Sequence, residues 1–530
     1  MDRNTRLSDF QAQFERCKQY LRANSPAYPK LKLLKGGAYS IKQYYLENNK
    51  LDDIRGASAL LAYTEETVIP DFIGARFPKD CIIYNGGGNV FCLLPYETED
   101  DFALETEREA EKYLISAKIA FVMQDSDIGS IEQHYADTIR ALEAVLNERR
   151  KLKLSIALNR ENPFFADKFI PWHGKLSFPK SAVSKKGGIC ELCKTRIAAY
   201  RAYDTELCSG CLNKKTVGRE MKHIGFVNSY EQFIKAHPSL NGVSLPITPP
   251  SSLSDIDSEH IAVVYGDGNN MGQLISNIKD ITGMMEFSDS VKGSTKHAVY
   301  LSMAELGIDK FEIVGLGGDD MFLIVPADKA FELAVRIIEE YNSFNKSSTM
   351  SVGICIAKYN MPIRIMLECA EDKLAEAKDI AKLDRVHGCD CGTIGFAVID
   401  NYTQDEESPK NRFGALMSAA PYNSKAAREL IDFIKRLKRL KTAKGAQLFS
   451  SSRLRSVYDA YQYADCMDEC ELFAQYSFAK NGELLGKYLP NLYGYTKLNN
   501  SGLYRRNFAD SDEGLVIWRD ILELYKYIGD

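Results

Sequence analysis

Two apolar runs joined by a short glycine turn read as a pair of antiparallel strands, and this chain carries the pattern twice. Phe311 to Val314 and Met321 to Val325 flank Gly315-Leu316-Gly317-Gly318-Asp319-Asp320, while Cys81 to Tyr84 and Val90 to Leu94 flank Asn85-Gly86-Gly87-Gly88-Asn89. Each hairpin follows a strand and a helix and precedes another helix, which points to two diverged copies of one α+β domain. In the first copy Tyr39 to Leu46 reads as strand and Leu51 to Tyr63 as helix, with two more helices after the hairpin to about Lys153. In the second, strand Ile261 to Tyr265 leads through Gly266-Asp267-Gly268-Asn269-Asn270 into an amphipathic segment, Met271 to Ile278. After its hairpin come helix Ala327 to Phe344, strand Met350 to Ala357, helix Ile363 to Ala381 and strand Gly392 to Ile399. The order is β-α-α-β-β-α-β-α-β.

Between and beyond the copies the character changes. The first 30 residues read as polar helix, and His237 to Ser258 is a Pro/Ser/Gly-rich linker or long loop. The last 120 residues show helical periods, such as Ala427 to Leu440 and Leu454 to Tyr476, without evident strand pairs. At about 150 residues per domain, 530 residues imply three or four domains. A composition of 45% hydrophobic and 26% charged residues is that of an ordinary globular protein and excludes wholesale disorder. A net charge of -5 excludes a uniformly basic nucleic-acid coat, so any RNA contact must be local. No apolar stretch approaches the ~18 residues of a membrane span and the start is too polar for a secretory signal, so the reading is a cytoplasmic protein without membrane contact. Thirteen cysteines in a reducing compartment are then thiols or metal ligands.

Cys190-x-x-Cys193 and, fourteen residues later, Cys208-x-x-Cys211 form two knuckles that can wrap four thiolates around one tetrahedral Zn²⁺. With all four positions filled by protein, that metal would be structural. A second constellation is carboxylate. Asp267 ends a buried strand, and Asp319 and Asp320 sit in a hairpin turn that needs Gly317 and Gly318 because its tight backbone leaves little room for a Cβ. If hairpin and strand are neighbours, three carboxylates converge, and they need a divalent cation, Mg²⁺ or Mn²⁺, with phosphates completing its shell. Two such ions can activate an attacking hydroxyl and stabilise a leaving pyrophosphate. Gly268, Asn269 and Asn270, opening a helix, can offer N–H groups to phosphates, and Lys378 and Lys382, one turn apart, can reach them.

Ala262 to Gly272, Gly315 to Asp320, Ser351-Val352-Gly353-Ile354 and the helix Ala370 to Lys378, in this order, resemble the catalytic palm of the large polymerase-like subunit of type III CRISPR (Csm/Cmr) effector complexes. The family's palm is related to GGDEF and adenylyl cyclase domains. The resemblance implies a multidomain α+β chain with two ferredoxin-like palms, a zinc ribbon and a C-terminal helical bundle. On that basis 1–160 is a degenerate palm, 161–258 ribbon and linker, 259–404 the catalytic GGDD palm and 405–530 the helical domain. Tyr44 to Ser58 with Gly86-Gly87-Gly88-Asn89 resembles the first palm, but GGGN in place of GGDD makes it structural. None of the seven histidines is followed by Asp and only about 35 residues precede the first palm, so the nuclease domain of many members is expected to be absent.

By resemblance, ATP is the substrate: a 3′-hydroxyl of one nucleotide attacks the α-phosphate of another to make an adenylate second messenger when guide RNA pairs with target RNA. Asp267, Asp319 and Asp320 would hold the metals, Gly317 and Gly318 would shape the turn, and Lys378 would meet phosphate. Partners would be the other subunits of the complex and its guide and target RNAs. Two other readings are a catalytically silent scaffold of the same complex and a stand-alone GGDEF-like dinucleotide cyclase. Smaller features read blandly: His387-Gly388-Cys389-Asp390-Cys391 as a loop, Cys466 and Cys470 as core thiols. Lys435 to Lys444, six cations around two leucines, reads equally as an RNA or partner face or a solvated helix.

Overall fold

The computed structural model describes residues 3–86, 88–152, 182–183, 187–220, 225–240, 242–345, 348–399, 417–440, 449–452, 454–457, 469, 489–498, 503–507 and 514–529. Two compact units divide the chain: Met1–Phe233 with Asn270–Lys296 and Ile313–Asp320, and Ile234–Asn269 with His297–Glu312 and Met321–Asp530. In chain order the elements begin α1 (Arg3–Asn24), β1 (Lys30–Tyr39), α2 (Ile41–Tyr45), α3 (Leu51–Tyr63), α4 (Ile69–Gly74), β2 (Ile82–Gly86), β3 (Asn89–Pro95), α5 (Phe102–Glu111), β4 (Lys118–Asp127), α6 (Ile128–Gln133) and α7 (Tyr135–Leu152). Then come β5 (Ala182–Val183), β6 (Tyr200–Ala202), β7 (Thr205–Leu207), α8 (Ser209–Glu220), α9 (Phe226–Ala236), β8 (His260–Gly268), α10 (Met271–Ser276), α11 (Ile281–Glu305), β9 (Glu312–Gly317), β10 (Asp320–Pro326), α12 (Ala327–Phe344), β11 (Met350–Lys358) and α13 (Ile363–Val386). The chain finishes with β12 (Thr393–Ile399), β13 (Met417–Ser418), β14 (Tyr422–Asn423), α14 (Ser424–Arg439), β15 (Tyr495–Lys497), β16 (Leu503–Arg506), β17 (Leu515–Val516) and α15 (Ile517–Tyr525). No helix among the described residues is long and apolar enough to cross a membrane.

The first unit is built on the sheet β2-β3-β1-β4, antiparallel throughout. Strand alternation splits its side chains between two cores: Leu34, Cys92 and Phe121 enter one, Leu33, Phe91 and Val122 the other. The strand at Lys30–Tyr39 corrects the expectation at Tyr39 to Leu46, where the short α2 stands instead. Lys32 and Lys35 hid it by breaking the apolar run. Both are buried, and they are satisfied by Asp100 and Glu143 respectively. The strand β4, also unexpected, lies where two helices alone were foreseen. Next in sequence, β5-β6-β7 and α8 form the cysteine ribbon. Helix α8 is held against α3 glycine to backbone: a Cβ on Gly56 would lie 1.8 Å from the Lys214 carbonyl, and one on Gly218 1.7 Å from that of Asp52. Lys214, 1% exposed, donates to the Tyr44 carbonyl at 2.5 Å and pairs with Glu47 at 2.8 Å.

The second unit is organised by a sheet in the order β14-β12-β11-β8-β10. Strand β8 runs antiparallel to both neighbours, and Ile261, Ala262, Val263 and Val264 are wholly buried, as a near-continuous apolar run requires. Helix α12 occupies the residues expected of it, and α13 lies close on β11 and β12. The closeness comes from two glycines: a Cβ on Gly353 would be 1.9 Å from the Ala370 carbonyl, and one on Gly395 2.3 Å from that of Lys373. The region after β12, expected to be helical, also contains the sheet β13-β17-β16-β15. Its strands have two to four residues, too few for a period to show in sequence. Asp520 anchors this part, accepting from Ser418 Oγ, the Ala419 N–H and the Tyr422 hydroxyl. Cys466, Cys470, Lys441, Lys444 and most of Leu454 to Tyr476 lie outside the described residues.

Candidate functional site

Asp267 is the penultimate residue of β8, at the end where the strand leaves the core, and is about one quarter exposed. Its Oδ2 is paired with Lys378 Nζ on α13. Gly353, by admitting α13 to the sheet, sets that reach. Beneath Asp267 runs a buried polar ladder. Asn269 donates from its backbone N–H to the Thr349 carbonyl at 2.7 Å and from Nδ2 to Thr349 Oγ1 at 2.9 Å, while its Oδ1 accepts from Ser351 Oγ at 2.9 Å. Ser351 and Thr393 hydroxyls lie 3.0 Å apart, and Thr393 donates on to the Ala377 carbonyl of α13. Asn269 is therefore committed inward, which corrects its expected use as a phosphate donor: its N–H and its side chain brace the turn. Asn270 takes a left-handed backbone, φ 59°, a conformation asparagine tolerates, and caps α10. Gly268, beside Asn269, ends β8 opposite Met350.

The hairpin turn is Gly318-Asp319, between strands that end at Gly317 and begin at Asp320. Gly318 has φ +62°, the position where a two-residue hairpin takes glycine. A Cβ at Gly317 or Gly318 would meet nothing within 4 Å. Backbone conformation at Gly318, rather than lack of room, is the structural requirement, and the expectation of a crowded turn is corrected. Within the first unit Thr295 Oγ1 donates to the Gly318 carbonyl at 2.8 Å and fixes the turn from α11. Register places Met321 opposite Gly266. Lys382 is in an exposed pair with Asp379 at 2.8 Å.

Sequence reasoning missed two groups in the first unit. Burial first, then the carboxylates of Glu65 and Asp320, push the Tyr45 phenol above its ordinary range. Glu65 is itself raised to about 7 by burial, against the opposing Gly88 N–H. Glu65 lies in a single π-helical turn, Thr64–Val68, and Asn85 of the first hairpin donates to its backbone carbonyl. No local pattern in sequence marks such a turn.

Cys190, Cys193, Cys208 and Cys211 are all buried and their sulfurs lie within 4.8 Å of one another. They can hold a metal ion. Hydrogen bonds from Cys190, then Cys208 and Cys211, hold the Cys193 thiol far below the usual range, whereas the same crowding, led by Cys190, pushes Cys211 far above it. Four thiolates together thus require a cation. Among the described residues this is the one set of three or more such ligands so gathered.

Residues 260–387 match the family model of the second palm domain of Cas10/Cmr2. Over 165 residues the chain is 29% identical to CRISPR system Cmr subunit Cmr2 of Pyrococcus furiosus, a match that covers 26% of this chain and 18% of that protein. The fold is shared with crystal structures of Csm1 in T.onnurineus, 13% identical with a TM-score of 0.56 over 88% of this chain and 66% of that one. It is shared equally with a Csm1-Csm4 cassette in complex with pppApApA, 14% identical, TM-score 0.55, covering 94% and 70%. The chain thus spans about two thirds of the T.onnurineus Csm1 and a much smaller part of Cmr2. Residues 260–387 are thus similar to the second palm domain of Cas10/Cmr2, in a chain whose fold is shared with Csm1.

Proposed function

We propose that this chain is the nucleotidyltransferase subunit of a type III CRISPR effector complex and joins ATP into an adenylate second messenger when target RNA pairs with the guide. The observation that carries the reading is the Asp267 carboxylate at the end of β8, paired with Lys378 of α13, inside the residues that match the second palm. The pppApApA-bound Csm1-Csm4 cassette supports an oligoadenylate product and a Csm4-like neighbour for this chain. Asp267, Asp319 and Asp320 have the hard oxygen donors that Mg²⁺ or Mn²⁺ takes, and the ions would supply activation of a 3′-hydroxyl and charge for the leaving pyrophosphate. Lys378, in this account, exchanges its carboxylate for a phosphate oxygen. The four-cysteine ribbon holds Zn²⁺ as a structural ion.

The lysine pairing of Asp267 also suits a silent scaffold, which has no metal to bind there. Mass spectrometry separates the two. The co-purified complex with guide, target RNA, ATP and Mg²⁺ or Mn²⁺ is expected to yield an adenylate product, and an Asp319→Ala/Asp320→Ala complex of unchanged composition to yield less than about one hundredth of it. Equal yield from both, or none from a verified target-bound complex, refutes catalysis by this palm.

A further inference from the structure

The loop between α13 and β12 brings two thiols together. Cys389 Sγ and Cys391 Sγ lie 3.0 Å apart, about 1 Å beyond a disulfide bond of ~2.05 Å. Their backbones are pinned at both ends. The Cys389 N–H donates to the Asp384 carbonyl at 2.8 Å, and the Cys391 carbonyl accepts from Asn342 Nδ2 and Ser424 Oγ, each at 2.9 Å. Gly388 (φ +80°) and Gly392 (φ +71°) supply the left-handed turns on either side. Cys389 is 7% exposed and Cys391 partly exposed, so a small reagent can reach the pair. By contrast, Cys17 and Cys81 are 3.9 Å apart and wholly buried.

The residue between the thiols leads into the palm. Asp390 Oδ1 accepts from Thr349 Oγ1 at 2.9 Å, and Thr349 in turn receives both the side-chain and backbone N–H groups of Asn269. Asn269 stands two residues after Asp267. A change in the Cys389–Cys391 geometry therefore acts on Asp390, and through one threonine on the turn that closes β8.

We propose that Cys389 and Cys391 are a reversible modification site, a dithiol that closes to an intramolecular disulfide in exchange with a small disulfide of the glutathione type, and that closure loosens the Asp267–Asn269 turn. One cysteine thiolate attacks a sulfur of glutathione disulfide, breaking its S–S bond and releasing one glutathione thiolate. The other cysteine thiolate attacks the protein sulfur of the mixed disulfide and expels the second glutathione. The two cysteines lose two electrons and two protons, and one glutathione disulfide becomes two glutathione thiols. The inference stands on the loop geometry and does not require the nucleotide reading.

The test equilibrates the full chain with mixtures of reduced and oxidised glutathione, quenches in acid, alkylates free thiols and maps peptides by mass spectrometry. The expected result is a peptide holding Cys389 and Cys391, unalkylated and lighter by roughly 2 Da, that reverts on reduction. Hydrogen exchange in the peptide spanning 267–273 should rise several-fold in the oxidised wild type. It should stay at the reduced rate in Cys389→Ser and in Cys391→Ser, either of which serves if the other misfolds. Free thiols at every glutathione ratio, glutathione adducts without closure, or a closed disulfide with unchanged exchange at 267–273 would each overturn the proposal.

Discussion

A carboxylate in a protein is interpretable only with its partners, and Asp53 shows it as clearly as Asp267. Asp53, on α3, is 1% exposed, and neither oxygen has a hydrogen-bond partner among the described residues. Burial raises it to about 7, with Asp52 adding and Lys215 opposing. Because the folded state binds the proton more tightly than the unfolded chain, this residue stabilises the fold below about pH 4. That contribution is lost as pH rises to about 7, with a cost on the order of 4 kcal/mol when ionised. Thermal midpoints of wild type and Asp53→Asn should therefore converge at pH 4.5 and separate at pH 8, the asparagine variant being the more stable. Identical pH slopes for the two proteins would show that Asp53 keeps an ordinary carboxylate range. Neither this role nor that of Asn269 can be inferred from the residue type, since both depend on what covers the side chain.

At the scale of elements, helices and strands with strong periods stand where the sequence places them. Helix Ala327–Phe344 matches to the residue, and the strands of both glycine hairpins differ only at their ends. Strand β1 was displaced because two buried lysines interrupted it, and their carboxylate partners lie 68 and 108 residues further along the chain. Gly353 makes the reverse point: in sequence it weakens a strand, and in the fold it lets α13 approach. Gly353→Ala should push α13 from β11 and lower the thermal midpoint, by an amount equivalent to about 2–3 kcal/mol, while Gly317→Ala, in open space, should change it little. Calorimetry of the two variants against wild type checks both expectations. Equal midpoints for Gly353→Ala and wild type would mean that the helix and strand do not pack as closely as described.

For the whole molecule, the ribbon is tied into the first unit through Gly56, Gly218 and the Lys214–Glu47 pair, so the metal is expected to matter beyond its own loop. Removing it with a strong chelator should release about one zinc ion per chain and lower the melting temperature of that unit by on the order of 10 °C, measured by elemental analysis and calorimetry. Cys193→Ser should reproduce the loss. A chain that carries no zinc as purified, or that melts identically without it, would leave the four thiols as a packed core.

Local chemistry made the glycine hairpins, the four-cysteine spacing and the acidic pair legible, because each depends on residues a few positions apart. The palm order followed from strand and helix periods, which are properties of contiguous sequence. Tertiary structure alone decided that Asn269 braces the turn instead of facing a ligand, since Thr349 and Ser351 reach it from a strand 80 residues away. Only the fold pairs Lys378 with Asp267 across 111 residues, and only it brings short strands at the chain's end into a sheet. The cause is the same in each case: burial and charge pairing are set by neighbours in space, and a linear pattern records only the neighbours in sequence.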